Sequence, residues 1–278
     1  MAAPARKPRE TEPARAGAAP RSSSAGVHST LRVLDLLAAR SPLGLSEISR
    51  ELGLPKSTVH RVCSVLVQRG WAIRDDEGRF DLGIRALRLA GRSDELPVVV
   101  AFRTVAAEFL AREDETVCLA VLDGSESLFV AVEETSHAVR YVTHVGAKTP
   151  AYGSASGRVV LASLPADVVA ATFAASPDLV TPTGRRLNGL PELTRLLDQV
   201  RKDGYSETWE ETAVGLYAAS VPVVNDQGLV LAALTVCVPT SRAGDERRAA
   251  LLEQLQASGE RLSRLVGWLP TFASRRPA

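Results

Sequence analysis

The 278-residue sequence predicts an α+β fold divided between two domains. Near the N-terminus, two short helical patterns joined by a tight turn are followed directly by a β-hairpin pattern, together spanning residues 45–82. In the remainder, β-like runs are grouped early (116–142) and late (219–238), with helical patterns between them. Strands grouped in this way indicate one antiparallel sheet with helices packed beside it.

The first 26 residues differ in composition from the rest of the chain. They are rich in Ala, Pro, Arg, Ser and Gly, with five Lys or Arg against two Glu. Such a segment cannot bury a core, so residues 1–26 are predicted to be a disordered basic tail. The tail lacks the apolar segment of an export signal, and no apolar run approaches the ~20 residues that a membrane helix needs. A cytoplasmic protein is expected.

Residues 45–66 predict two helices and the turn between them. The first helix has one apolar face, formed by Leu45, Ile48 and Leu52. Gly53 ends this helix, and Pro55 pre-sets the backbone for the first turn of the next. The second helix has an apolar stripe that must pack on the first: Val59, Val62, Cys63 and Leu66.

The start of the second helix carries polar and basic side chains: Lys56, Ser57, Thr58, His60 and Arg61. Donors at this place in a helix-turn-helix reach phosphates and base edges in the major groove of DNA. The alternative is an ordinary amphipathic helix pair with a solvated basic face.

The segment that follows favours DNA binding. Residues 71–74, the acidic turn 75–78 and residues 79–82 have the pattern of strand, turn and strand. A hairpin directly after a recognition helix is a wing, so residues 27–83 are predicted to form a winged helix-turn-helix DNA-binding domain. Arg79 on the wing is a further candidate contact, expected to touch the DNA backbone only. Residues 27–93 hold eleven Lys or Arg against seven Asp or Glu, whereas residues 94–278 hold 17 against 23, so a polyanion such as DNA would be drawn to the first domain.

Residues 29–34, 52–61 and 78–83 resemble the IclR family of bacterial transcriptional regulators. The resemblance continues downstream in six segments: 146–150, 154–157, 204–206, 210–211, 214–216 and 233–239. It implies a GAF-like or profilin-like sensor domain over residues 97–270 and a C-terminal tail over 271–278. It also implies that a linker helix, 84–96, couples the two domains and supports the contacts of a homodimer or tetramer.

Three catalytic patterns fail in the second domain. Residues 153–157, Gly-Ser-Ala-Ser-Gly, place Ala155 where a nucleophile elbow needs Ser. A phosphate loop would need Gly where Val142 and Ala147 stand. Glu210 and Glu211 are adjacent, so their carboxylates point apart and cannot act as an acid/base pair. The chain is therefore predicted not to be an enzyme, and an enzyme with a DNA-binding appendage is the alternative.

The cysteines and histidines indicate no metal and no cofactor. Cys63, Cys118 and Cys237 are odd in number and lie in apolar runs, which is typical of reduced core cysteines. The four histidines show neither helical nor close-paired ligand spacing.

A small-molecule site is expected near residues 153–157. They precede a predicted helix, whose free backbone N–H groups favour an anion such as a carboxylate, although this segment taken alone favours plain capping by Ser154 or Ser156. The resemblance implies ligand contacts at six positions: Ala155, Ser156, Thr208, Ala218, Thr235 and Cys237. Thr208 stands where the family frequently has an acidic residue. Thr235 and Cys237 share one sheet face and could instead be ordinary core residues.

Together these features predict a ligand-responsive regulator of a metabolic operon. Its expected partners are double-stranded operator DNA and a small, carboxylate-bearing effector. A DNA-binding protein without any ligand is a third possibility.

Overall fold

The computed structural model describes residues 23–90, 95–174, 176 and 178–269. The chain divides into two compact units, Met1–Gly91 and Arg92–Ala278. Most of the tail predicted over 1–26, part of the linker predicted over 84–96, and all of the C-terminal tail predicted over 271–278 lie outside the described residues.

The first unit is a winged helix-turn-helix. Its elements are α1 Ser23–Arg40, α2 Leu45–Leu52, α3 Lys56–Gln68, β1 Ala72–Arg74, β2 Phe80–Leu82 and α4 Ile84–Ala90. The strands β1 and β2 pair antiparallel. Buried side chains from all three leading helices and the wing form one core, including Val33, Leu37, Ile48, Cys63 and Phe80. The predicted fold class of this part is confirmed.

The first helix begins earlier than the sequence indicated. Residues 23–26, assigned to the disordered tail, form the first turn of α1. The hydroxyl of Ser29 donates to the carbonyl of Ala25 at 2.8 Å, and that of Thr30 donates to the carbonyl of Gly26 at 2.9 Å. This first turn precedes the apolar stripe of the helix, which is the part that periodicity detects.

In the second unit, the described residues form one six-stranded antiparallel sheet, one two-stranded sheet and five α-helices. Its elements are α5 Pro97–Glu113, β3 Thr116–Asp123, β4 Glu126–Glu133, β5 Lys148–Pro150, α6 Ala155–Ala162, α7 Ala166–Phe173, β6 Leu179–Val180, β7 Arg186–Leu187, α8 Gly189–Asp203, β8 Ser206–Trp209, β9 Leu216–Val224, β10 Val230–Pro239 and α9 Asp245–Val266. The large sheet has the order β5-β4-β3-β10-β9-β8, and β6 pairs with β7 alone. The predicted α+β architecture is confirmed.

The sheet is covered on both faces, and β10 lies at its centre. Eight consecutive residues of β10, 231–238, are buried. Leu234 and Val236 belong to the large core that α5 and α9 form on one face. Cys237 belongs to a smaller cluster with Ala155, the first residue of α6, on the other face. Because side chains alternate along a strand, the polar Thr235 also lies on the α6 face.

One predicted strand is wrong. Residues 138–142 form an irregular loop, and β5 pairs with β4 in their place. Arg242 binds the carbonyl of Val139 at 2.8 Å, and Val139 and Val142 are exposed. The apolar run therefore has no sheet face to cover, although its β-branched composition is typical of a strand. Among the described residues, no helix has the length and apolar character needed to cross a membrane.

Candidate functional site

The helix α3 presents the predicted DNA-binding residues on its exposed side. Gly53 adopts a left-handed conformation (φ 62°) that ends α2, and the hydroxyl of Ser49 donates to the carbonyl of Leu54 at 2.6 Å. This turn buries one side of α3, through Val59, Val62, Cys63 and Leu66. Four of the predicted residues are exposed on the other side: Lys56, Ser57, His60 and Arg61. The fifth, Thr58, is half-buried. The sequence-predicted division of α3 into two faces is thus observed.

The charges on α3 are not neutralised within the first unit. The side chains of Lys56, His60 and Arg61 form no hydrogen bond or ion pair with any residue that the structure describes. A guanidinium and an ammonium that are exposed and unpaired remain available to phosphates and to base edges.

Arg79 on the wing is exposed but paired. Its Nε lies 3.0 Å from Asp75 Oδ2, its backbone N–H donates to Asp75 Oδ1 at 2.7 Å, and its guanidinium lies 3.6 Å from Glu77. The backbone N–H of Arg79, followed by its side chain, holds the pKa of Asp75 below its usual value. Much of the Arg79 charge is therefore offset inside the hairpin, in contrast to the charges on α3.

In the second unit, five of the six predicted ligand residues line one cavity at the start of α6. Ala155 and Ser156 come from α6, Ala218 from β9, and Thr235 with Cys237 from β10. The other lining residues are Phe129, Tyr141, Thr149, Ser154, Thr212 and Leu216. The cavity measures only about 10 Å³, which is room for a single water molecule.

Thr208 is the predicted residue that the cavity does not include. It is buried on β8 and pairs directly with Ala218 on β9. It therefore lies one strand spacing, roughly 4.8 Å, farther from the cavity than Ala218 does. The structure thus places Thr208 beside Ala218 but outside the lining of this cavity.

A close backbone approach positions the first turn of α6. A Cβ atom at Gly157 would lie 2.3 Å from the carbonyl oxygen of Ala151, so only glycine permits this packing. Ser154 caps the helix by accepting the N–H of Gly157 at 3.2 Å. The backbone N–H groups of Ala155 and Ser156 have no acceptor among the described residues. Capping therefore occurs, and it leaves two donors of the first turn beside the cavity.

The cavity is neutral. None of the described residues that line it is Asp, Glu, Lys, Arg or His. Cys118 is buried beside Cys237, which lines the cavity. The hydrogen bond with the Cys237 thiol, together with burial, raises the pKa of the Cys118 thiol well above its usual value. Burial raises the pKa of Tyr141 as well. Both groups stay protonated near neutral pH, so any negative charge at this site has to come from a ligand.

A buried ion pair supports the cavity from behind. Arg158 on α6 donates through both terminal nitrogens to Glu211, at 3.0 and 2.5 Å, and these two side chains are only 4% and 8% exposed. Arg185 adds a contact of 2.8 Å to the same carboxylate. Glu210 accepts the N–H of Gly215 at 2.9 Å. Both adjacent carboxylates are therefore used structurally, and Glu211 fixes the loop that carries Thr212 to the helix that carries Ala155.

A larger concavity of the second unit lies elsewhere. A groove of about 550 Å³, open to solvent, runs along α9 and β9 between Gly204, Pro222, Glu260 and Arg264. None of the predicted ligand residues lines it. We place the candidate site at the small cavity, because buried polar groups converge there and free backbone donors border it.

Sequence reasoning missed six lining residues of the cavity: Phe129, Tyr141, Thr149, Ser154, Thr212 and Leu216. Ser154 was noted only as a helix cap, and Tyr141 was assigned to the strand that proved to be a loop. Thr149 and Leu216 lie within segments of family resemblance, which would have been the available signal. For Phe129 and Thr212 no local pattern distinguishes them from other core residues.

Comparison with known proteins matches both units to models of one family. Residues 28–76 match the IclR helix-turn-helix domain, and residues 92–264 match the bacterial transcriptional regulator IclR C-terminal domain. The HTH-type transcriptional regulator XynR of Escherichia coli K12 is 31% identical over 248 residues, covering 87% of this chain and 97% of XynR.

Two solved structures extend this likeness to three dimensions. An IclR transcriptional regulator from Alicyclobacillus acidocaldarius has a TM-score of 0.73 at 27% identity, covering 87% of this chain and 99% of that one. An IclR homolog from Microbacterium hydrocarbonoxydans, complexed with 4-hydroxybenzoate, has a TM-score of 0.69 at 25% identity, covering 88% and 100%.

Proposed function

Because the chain belongs to the IclR family of bacterial transcriptional regulators, we propose that it binds operator DNA through α3 and senses a small carboxylate-bearing metabolite in the cavity at the start of α6. Like its named relatives, the chain is a DNA-binding transcriptional regulator. It is not an enzyme. The proposal adds the ligand class, the residues that bind it, and the coupling of ligand binding to DNA affinity.

A carboxylate suits the cavity for electrostatic reasons. The free N–H groups of Ala155 and Ser156 stand at the positive end of the α6 dipole, where an anion is stabilised without a cationic side chain. The proposal rests on one observation: five of the six residues predicted to bind a ligand line the same cavity at the start of α6. The homolog complexed with 4-hydroxybenzoate, itself a carboxylate, supports it.

Ligand entry has to enlarge the cavity. A space of about 10 Å³ cannot hold even a small organic acid. Tyr141 lines the cavity from the irregular loop between β4 and β5, so it is the residue that can move with least disruption of the sheet. Closed and opened arrangements of this loop would differ in ligand affinity, which is the requirement for a ligand to shift a conformational equilibrium.

The proposed DNA contacts follow the exposed face of α3. Lys56, Ser57, His60 and Arg61 contact the major groove, with Thr58 at the margin of this face. Arg79 contributes a weaker contact to the DNA backbone because Asp75 already pairs with it. A homodimer or tetramer would present two such helices to the half-sites of one operator.

A thermal-shift screen of the full-length chain tests the ligand class. The panel contains benzoate, 4-hydroxybenzoate and pyruvate, each beside its primary amide, which keeps the shape and removes the charge. A carboxylate present at 100 times its Kd should raise the Tm by roughly 5 to 10 °C, and its amide should raise it much less. Equal shifts with acid and amide, or no shift with any acid, would contradict the proposal.

A further inference from the structure

One hydroxyl group of the cavity differs from the others. Thr149 lies on β5 opposite Ser127 of β4 and lines the cavity. Its Oγ1 atom is buried and has no hydrogen-bond partner among the described residues. A buried hydroxyl left unsatisfied in this way lowers the stability of the folded protein.

The remaining hydroxyls that line the cavity as Ser or Thr side chains are bonded within the protein. Ser154 Oγ accepts the N–H of Gly157 at 3.2 Å, Ser156 Oγ bonds Ser127 Oγ at 2.8 Å, Thr212 Oγ1 donates to the carbonyl of Gly153 at 3.2 Å, and Thr235 Oγ1 bonds Ser220 Oγ at 2.9 Å. These bonds hold α6, β4, β9 and β10 in place. Among the described Ser and Thr side chains that line the cavity, Thr149 is therefore the one whose hydroxyl forms no hydrogen bond within the protein.

We propose that Thr149 is the side chain that orients the ligand. Its hydroxyl donates to a carboxylate oxygen, and the N–H groups of Ala155 and Ser156 donate to the same carboxylate from the start of α6. The three donors share one property, which is that no described residue accepts from them. This inference rests on the proposed function, because it assigns a donor to the ligand proposed there.

The arrangement also selects a ligand class. The donors serve one carboxylate, and the other lining side chains bring no charge: Phe129, Tyr141, Leu216, Ala218 and Cys237. A second carboxylate on the ligand would be desolvated without a cation or a free donor, which is strongly unfavourable. The site is therefore one for a monocarboxylate with a short apolar body, and it discriminates against dicarboxylates.

Thr149→Val tests the assignment, because valine keeps the shape and removes the hydroxyl. In the full-length chain without ligand, the Tm of this variant should stay the same or rise, since an unsatisfied buried group is lost. Its Kd for benzoate or 4-hydroxybenzoate, measured by calorimetric titration, should rise roughly 10-fold or more, because a hydrogen bond to a charged group is lost. Thr149→Ser restores the hydroxyl and should restore most of the affinity.

Thr212→Val and Thr235→Val are the matched controls. Each removes a hydroxyl that bonds another part of the unit, so each should lower the Tm of the ligand-free protein. Among these three variants, only Thr149→Val should lose ligand affinity without a loss of ligand-free stability.

Two kinds of result would overturn the inference, and they can be distinguished. If the wild type binds a monocarboxylate and Thr149→Val binds it equally well, or if Thr149→Val lowers the ligand-free Tm as the controls do, Thr149 is structural. If the wild type binds none of the monocarboxylates in the panel, or binds terephthalate as tightly as benzoate, the ligand class itself is wrong, and the role of Thr149 is lost with it.

Discussion

The exposed face of α3 and the cavity at the start of α6 offer hydrogen-bond donors in opposite settings. On α3 the donors include charged groups, are exposed, and have no described partner at Lys56, His60 and Arg61. In the cavity the donors are neutral and buried, and most of the hydroxyls are already bonded within the protein. Binding at α3 should therefore depend steeply on salt, whereas binding in the cavity should depend on a few well-placed hydrogen bonds.

The two sites also depend differently on their surroundings. The α3 face requires only a correctly packed helix, since the side chains of Lys56, His60 and Arg61 bond to no other described residue. The cavity requires two walls that are far apart in sequence, and the buried pair of Arg158 and Glu211 holds them together. A change in the supporting residues should consequently affect the cavity far more than the DNA-binding face.

The largest effect is expected from Glu211→Ala. This change leaves the Arg158 guanidinium buried without its carboxylate, which costs about 3 to 5 kcal/mol. Urea denaturation should show a large decrease in the midpoint for the second unit, together with loss of carboxylate binding. As a control, Arg186→Ala removes an exposed pair with Asp178, whose side chains are 70% and 78% exposed, and should change stability by less than about 1 kcal/mol. Similar midpoints for the two variants would mean that the buried pair does not support the site.

A smaller effect is expected on the α3 face. Arg61→Ala should weaken specific binding by roughly 1 to 3 kcal/mol if Arg61 contacts a base. Lys56→Ala should weaken binding to all sequences alike and reduce the slope of log affinity against log salt by about one. Fluorescence anisotropy at several salt concentrations measures both quantities. Arg69→Ala, at the far end of α3, is the control. Wild-type affinity in both test variants would refute the assignment of α3 as the recognition helix.

The smallest effect concerns the paired charge on the wing. Asp75→Asn removes the main partner of the Arg79 guanidinium, so it should free that charge for the DNA backbone. Affinity should rise only slightly, because the pair is exposed to solvent, and the salt slope should steepen slightly. Arg79→Ala should lower affinity by a similarly small amount. A change in the preferred DNA sequence in either variant would show instead that Arg79 contacts bases.

The two sites also differ in how far the sequence predicts them. The helices α2 and α3 and the wing are local structures, so periodicity, Gly53 and Pro55 were sufficient to locate them. Five cavity residues were expected from resemblance, whereas Thr208, also expected, lies one strand away from the lining residue Ala218. The pair of Arg158 and Glu211 joins positions 53 apart, and no local pattern indicates it. The unpartnered hydroxyl of Thr149 is likewise a property of packing, which only the three-dimensional structure reveals.

The loop between β4 and β5 illustrates a second limit. Residues 138–142 have the composition of a strand, yet Arg242 holds the carbonyl of Val139 and the valines remain exposed. Composition reports what a segment can form, and tertiary contacts decide what it does form.

Coupling between the two sites is the central claim, and a reciprocal titration tests it most directly. The full-length chain is used to select a DNA sequence from a random pool, and the Kd for that DNA is measured with and without a saturating carboxylate identified by the thermal-shift screen. We expect the ligand to change the DNA Kd by roughly 5- to 150-fold, and saturating DNA to change the ligand Kd by the same factor. Thr149→Val should require more ligand to reach the same maximal change. An unchanged DNA Kd in the presence of a carboxylate that demonstrably binds the chain would contradict the account.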